Sequence, residues 1–416
     1  MHIGLAWLLE SGLLLASLCT AVGFEPPPVG ETVLWATPRG RKAAIKAAPR
    51  RTAQTLGEVR RGAEIVLRDD GGVPGRGCTR WLRALPEGYL CQGDVRLRRG
   101  VFPSEAAQAP PAMRPAPRLR YAVVRSHEAA LYSRPDTWLP PVMRLRPGDG
   151  LTVLDGPRRG PLLRTASRLW VRQQDLQFAA PSTLRGLDLT ALPTAMRFRL
   201  GWLVPDRGAD TVPLWLPARL AGPAWAAGQE SRPMPRYTRV EVLDAMQDTT
   251  RVRLLDGPIE GEVSSRHLRR VLPAPPPPGL GPHEVWIDVN LSQQVLTAYR
   301  GQEPLFSTLV STAPHGGTPP GTYAVYRKYL TQSLANLVGA RTYYDYRQVP
   351  HAQFFYGRFG LHAAMWHDLF GHPVSHGCVN LSPADAEHLF HLTEPELPPG
   401  WHSRTAPAGT RIVVHR

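Results

Sequence analysis

Apolar and polar positions alternate in short runs along most of the chain, and nearly every run stops at Gly or Pro. A two-residue period over four to seven positions predicts a strand with one buried face. Three β-rich blocks emerge. The first spans 30–100 and holds Gly62 to Leu67, Arg80 to Arg83 and Gly88 to Cys91. The second spans 119–178, with Leu151 to Leu154 and Leu169 to Arg172. The third spans 195–272, with Arg239 to Leu243 and Thr250 to Leu254. Pro/Ala-rich stretches from Phe102 to Pro117 and from Pro273 to Pro282 read as linkers, the second as a semi-rigid polyproline spacer. It marks the sharpest boundary, and 283–416 follows as one domain-sized unit.

In that last unit Val285 to Val289 and Gln294 to Tyr299 predict paired strands around Asn290-Leu291-Ser292. Leu305 to Ser311, Tyr323 to Tyr326, Phe354 to His362 and Arg411 to His415 predict further strands. Residues 329–350 show no clear period, which predicts a long loop, either a substrate lid or a plain insertion. Ser382 as N-cap, Pro383 at the first helical position and Asp385 in the first turn start a short helix, with Leu389, Phe390 and Leu392 facing inward. The expected class is mainly β.

Composition adds little to the fold but more to the setting. The chain has 416 residues, 38 Gly and 44 Pro, and a formal charge of +15. Of its 49 basic residues only Lys42, Lys46 and Lys328 are Lys; the rest are Arg. That bias fits either attraction to a polyanion or a solvated basic surface. No nucleic-acid-binding motif accompanies it, so nucleic acid is not an expected partner. Residues 1–23 read as an export signal, an apolar stretch ending in the small residues Ala21 and Gly23, although Glu10 interrupts it and no basic residue precedes it. An N-terminal membrane anchor also fits. No other segment has the apolar length of a membrane span. Location in the periplasm or cell envelope follows.

Cysteine usage agrees with export. Setting aside Cys19, Cys78 and Cys91 lie 13 positions apart around Trp81 and Tyr89, a spacing that suits a disulfide across a hairpin in an oxidising compartment. Two separate buried thiols are the alternative. Cys378 then has no partner. A cysteine nucleophile needs a base, an orienting group and donors for an oxyanion. His362 lies 16 positions upstream and His376 two positions upstream, and spacing alone leaves the base open between them. Gly377 permits a tight turn, so that the amides of 376–378 can converge on an oxyanion. His351, His367 and His372 are too irregularly spaced for a metal site and read as surface or lid residues, so no metal or other cofactor is expected.

His362 followed by Gly371-His372-Pro373-Val374-Ser375-His376-Gly377-Cys378-Val379-Asn380 resembles the L,D-transpeptidase (YkuD) catalytic domain. Trp286 to Val289, Leu309 to Thr312 and Thr318 to Thr322 resemble its supporting segments. The resemblance covers 283–416. It implies a β-sandwich-type mixed domain with a short helix, with Cys378 as nucleophile and His362 as proton acceptor and donor. The Ala363 carbonyl would orient His362, and His376 would shape the site. Ser375, Gly377 and Asn380 would hold the cysteine loop, with Asn380 standing where many members carry Arg. Peptidoglycan stem tetrapeptides are the implied substrates, with Ser375 and Asn380 at the substrate, and Tyr356 and Trp366 lining the groove or the core. The three upstream blocks resemble bacterial SH3-like modules, small β-barrels that commonly bind wall peptides; generic β spacers are the alternative. A rival class, the NlpC/P60 cysteine peptidases, also travels with such modules, but there the Cys precedes its His. A non-catalytic wall-binding scaffold is the third reading, which the presence of both His362 and Cys378 disfavours.

Overall fold

The computed structural model describes residues 27–28, 30–102, 119–154, 160–216 and 231–416. The expected signal segment 1–23 and the linker residues 103–117 lie outside them. Phe102, at the head of that linker, is buried and stacks on Trp35.

Short strands dominate, as the alternation predicts. In the first block Thr32–Pro38 pairs antiparallel with Ile65–Leu67 and Val95–Val101. Lys42–Lys46 pairs with Thr55–Arg60, and Cys78–Arg83 with Tyr89–Cys91. A disulfide joins Cys78 to Cys91, with Cα atoms 5.8 Å apart. In the second block Leu119–Val124 lies between Gly150–Leu154 and Leu176–Phe178. The third is a seven-stranded antiparallel sheet running from Leu200–Leu203 to Leu268–Arg270 in sequence. Among the described residues these strand orders are open, and the closed barrels expected for SH3-like modules are not observed.

The last unit has two sheets over one core. Glu303–Leu309, Val295–Arg300, Val285–Asn290, Arg411–His415 and Gly321–Ala324 lie side by side, with Val285–Asn290 and Arg411–His415 parallel. The second sheet contains Arg327–Ala335, Tyr344–Tyr356, Phe359–Ala363 and Val379–Leu381. The helix Pro383–Leu392 buries Leu389 and Phe390, while Leu392 is half-buried. Ser382 Oγ accepts from the Asp385 amide, so the expected cap is in place. At the other end, fully buried Lys328 donates from Nζ to the carbonyls of Phe390 (2.5 Å) and Thr393 (2.8 Å), satisfying helix-end acceptors.

One expectation needs correction. Residues 329–350 are not a long loop: most of them form the hairpin Arg327–Ala335 and Tyr344–Tyr356, with only 336–343 as its tip. The register shifts between Gln332 and Leu334, and Gln348 and His351 have positive φ, so the two-residue period is broken even though the strands persist. The Pro-rich stretch 273–282, expected as a semi-rigid spacer, is hydrogen-bonded to the residues that follow it. Arg411 donates to the carbonyls of Pro278 and Gly279, and the Ala274 amide donates to the Tyr299 hydroxyl, which ties the stretch to the domain that follows it.

The upstream blocks also share strands with this domain. Gly150 and Leu151 pair in parallel with Tyr344 and Asp345. Gly57 and Glu58 pair with Arg404 and Ser403, and in the segment between the second and third blocks Leu187 and Asp188 pair with Ser307 and Phe306. Trp401 sits in the core of the first block, and Gly57 makes room for it: a Cβ there would stand 2.5 Å from the indole ring.

Candidate active site

Strands Phe359–Ala363 and Val379–Leu381 run parallel, with His362 opposite Asn380. Leu361, Ala363, Val379 and Leu381 all point into the main core. Alternation then places His362 and Asn380 together on the opposite face, and Cys378 immediately precedes the second strand. His362 is 2% exposed, and Cys378 is partly buried.

Each member of this group is fixed by a neighbour. His362 Nδ1 lies 3.1 Å from the Ala363 carbonyl. A carbonyl only accepts, so Nδ1 carries the proton and Nε2 keeps its lone pair. Burial depresses the His362 imidazole to about 4, against the Ala363 hydrogen bond, so the ring is neutral at pH 7. Burial pushes the Cys378 thiol up to about 11, opposed by the Gly360 amide and by the positive charge of Arg358. The thiol lies 3.7 Å from the Arg358 carbonyl. At rest Cys378 is therefore a thiol and His362 a neutral imidazole.

The cysteine loop is braced from inside. Ser375 Oγ donates to the Cys378 carbonyl (2.5 Å) and accepts from the Gly377 amide (3.1 Å). Thr318 Oγ1 donates to the Gly377 carbonyl (2.9 Å), and the Ser375 amide donates to the Thr312 carbonyl. Gly377 has φ 140°, and a Cβ there would meet the Phe359 ring at 2.2 Å, so only glycine fits. Two expectations change here. The Gly377 amide is turned to Ser375 and is not aimed at an oxyanion. The Ser375 hydroxyl is occupied by the Cys378 carbonyl and the Gly377 amide, so it holds the cysteine loop from within and is not turned outward.

The remaining candidates separate clearly. His376 is exposed, with Nε2 2.7 Å from Thr342 Oγ1 and its ring 5.0 Å from that of Tyr344. Tyr356 is half-exposed and forms an aromatic wall with Tyr323 and Phe359, the ring that touches Gly377. Trp366 is packed inward, 5.7 Å from the His362 ring and stacked on Tyr346. Among the described residues no cluster of His, Cys, Asp or Glu has the geometry of a metal site.

Several site residues gave no signal in the sequence. Tyr344 is raised by burial and by the neighbouring Cys378. Arg358, in the turn between two strands, is the nearby cation. The third block grips the segment that joins His362 to Cys378. Arg236 donates to the Asp368 carbonyl, and Tyr237 donates to Asp368 Oδ1 while accepting from the Phe370 amide. Arg269 donates to the Gly371 carbonyl, Arg207 to that of Pro373, and His372 to that of Pro205. Such contacts join residues more than a hundred positions apart, and no local pattern encodes them.

A partly buried free Cys just before one strand, and a buried His on the adjacent strand oriented by a carbonyl, are residue types that cysteine-based acyl transfer requires. Residues 284–414 match the YkuD family model, the L,D-transpeptidase catalytic domain, and this stretch is such a domain. Among solved structures the chain is similar to an L,D-transpeptidase from Stackebrandtia nassauensis, with 23% identity, 32% of this chain and 56% of that chain covered, and a TM-score of 0.23. The chain thus spans little more than half of that protein's length. It is also similar to the catalytic domain of the E. faecium L,D-transpeptidase (22% identity, 32% and 98% covered, TM-score 0.26). A third is an L,D-transpeptidase from Mycobacterium smegmatis (18% identity, 58% and 89% covered, TM-score 0.27). No curated protein sequence matches the chain.

Proposed function

We propose that the chain is an exported L,D-transpeptidase that works on peptidoglycan stem tetrapeptides through a thioester on Cys378. The observation that supports this best is the parallel pairing of His362 with Asn380, two positions after Cys378, with His362 Nδ1 held by Ala363 so that Nε2 keeps its lone pair. In the first half-reaction the Cys378 sulfur attacks the carbonyl of the L-centre residue before the terminal D-Ala. Its proton passes to His362 Nε2. The C–N bond then breaks, His362 returns the proton to the departing amine, and D-Ala leaves. In the second half an amine of a neighbouring stem attacks the thioester, gives its proton to His362, and the thiol is restored. The product is a 3→3 cross-link, or a protein joined to the wall where a protein supplies the amine. The Cys78–Cys91 disulfide accords with an oxidising compartment, the periplasm or envelope. The upstream blocks act as braces on the catalytic domain, and wall binding by them as SH3-like modules is a further part of the proposal.

The test is incubation of purified protein with disaccharide tetrapeptide, followed by mass spectrometry. Dimers lacking one D-Ala are the expected product, lost in Cys378→Ala. D-Ala release without dimers identifies an L,D-carboxypeptidase. Stem cleavage without D-Ala release identifies a peptidase. No product at all leaves a binding scaffold, and dimers that persist in Cys378→Ala contradict the mechanism.

A further inference from the structure

His367 reads as a surface or lid residue in the sequence, yet it is partly buried beside Asn380. Its ring packs 5.1 Å from Phe370 and 6.3 Å from Trp366. The Leu369 amide lies 3.2 Å from His367 Nδ1. A backbone N–H only donates, so Nδ1 must present a lone pair. A neutral imidazole then has its proton on Nε2, and an imidazolium would set two N–H groups head to head at Nδ1. His367 Nε2 lies 2.9 Å from the side-chain amide of Asn380. The atom assigned to that contact is Nδ2, which would require lone pairs on both ring nitrogens at once. A half-turn of the amide exchanges two atoms of nearly equal size and removes the conflict. Nε2–H then donates to Oδ1, and the NH2 of Asn380 faces away from His367.

Asn380 cannot drift from this arrangement. Its backbone exchanges two hydrogen bonds with Ser311, and it is 3% exposed. It lies opposite His362 on the same face of the sheet, two positions after Cys378. Among the described residues the far end of the amide has no protein partner.

We propose that His367 is a positioning residue that turns the Asn380 amide so that its NH2 points to the Cys378 side, where it donates to an oxygen of the bound stem peptide. This rests on the transpeptidase reading for the identity of the ligand. The orientation of the amide does not.

Two measurements test it. In the 15N-labelled protein, the imidazole spectrum of His367 is expected to show a protonated Nε2 and a lone pair on Nδ1; the opposite tautomer would overturn the proposal. In steady-state assays with tetrapeptide, His367→Leu is expected to raise KM about tenfold, the size of one lost hydrogen bond, with kcat within about twofold. His367→Gln, which can still donate to Oδ1, is expected to recover most of that loss. Alkylation of Cys378 by iodoacetamide, which needs no amide donor, is expected to be unchanged in both variants. Equal defects in the two variants, or a fall in kcat that parallels slower alkylation, would show mere loosening of the loop and overturn the positioning role. If the wild-type protein turns over no tetrapeptide, the transpeptidase reading falls with the proposed ligand, and the spectrum alone still decides the amide orientation.

Discussion

Tyr346 stacks flat on Trp366, with ring centroids 3.9 Å apart and planes within 9°. Trp366 in turn stands 5.7 Å from the ring of His362. Tyr346 lies on the long hairpin and meets Tyr121 from the second block, whose hydroxyl donates to the carbonyl of Arg347 or Gln348. The proposed base is therefore backed by an aromatic stack that reaches out of its own domain.

Removing the middle of that stack has a cost that can be measured. Tyr346→Ala takes a buried ring from a packed cluster, for which about 3–5 kcal/mol of stability is the usual loss. Urea unfolding is expected to report a loss of that order, together with slower acylation of Cys378. Unchanged stability would mean that the hairpin and the second block do not brace the site.

The ionisation of Cys378 gives a second expectation. With the thiol raised to about 11 and His362 neutral, alkylation by iodoacetamide rises with pH through 7 to 10 and has no plateau near neutrality. Arg358→Ala removes a cation that lowers the thiol, so the curve moves to higher pH. A plateau below pH 7 would mean a preformed thiolate–imidazolium pair.

Stability should fall on acidification. His362 and His367 are both depressed to about 4 by burial, from an ordinary 6.5. Between those values the unfolded chain binds more protons than the folded one, so stability is fully present above pH 6.5 and drains away as pH falls toward 4. Thermal melts across that window are expected to show a steady decline, reduced in a His367→Gln variant.

Much of the proposed site was legible in the sequence because its chemistry is local. Ser375 to Asn380 forms one turn and one strand start, and Ser382, Pro383 and Asp385 encode a cap within four positions. The disulfide followed from Cys78, Cys91 and the hairpin between them. The hairpin over 327–356 was hidden, because bulges and two positive-φ residues interrupt its period. The bracing partners were hidden for another reason. Tyr237 and Arg269 reach the segment before Cys378 from a separate sheet, and the contact of His367 with Asn380 has no local pattern either.

The clamp from the third block can be weakened by one atom. Tyr237→Phe leaves the Asp368 carboxylate without this donor and the Phe370 amide without its acceptor. Asp368 keeps Arg236 and solvent, whereas an unpaired buried amide such as that of Phe370 costs about 1–3 kcal/mol. Lower thermal stability and slower acylation by tetrapeptide are expected together. A normal acylation rate would show that the segment between His362 and Cys378 holds its shape unaided.

The most direct test of the central claim is the intact mass of the protein quenched in acid during reaction with a stem tetrapeptide donor and no acceptor amine. The expected result is a covalent adduct equal to the donor minus D-Ala, located on Cys378 by peptide mapping and absent from Cys378→Ala. An adduct on another residue, or turnover with no adduct in a variant whose His362 is replaced by Ala, would contradict it.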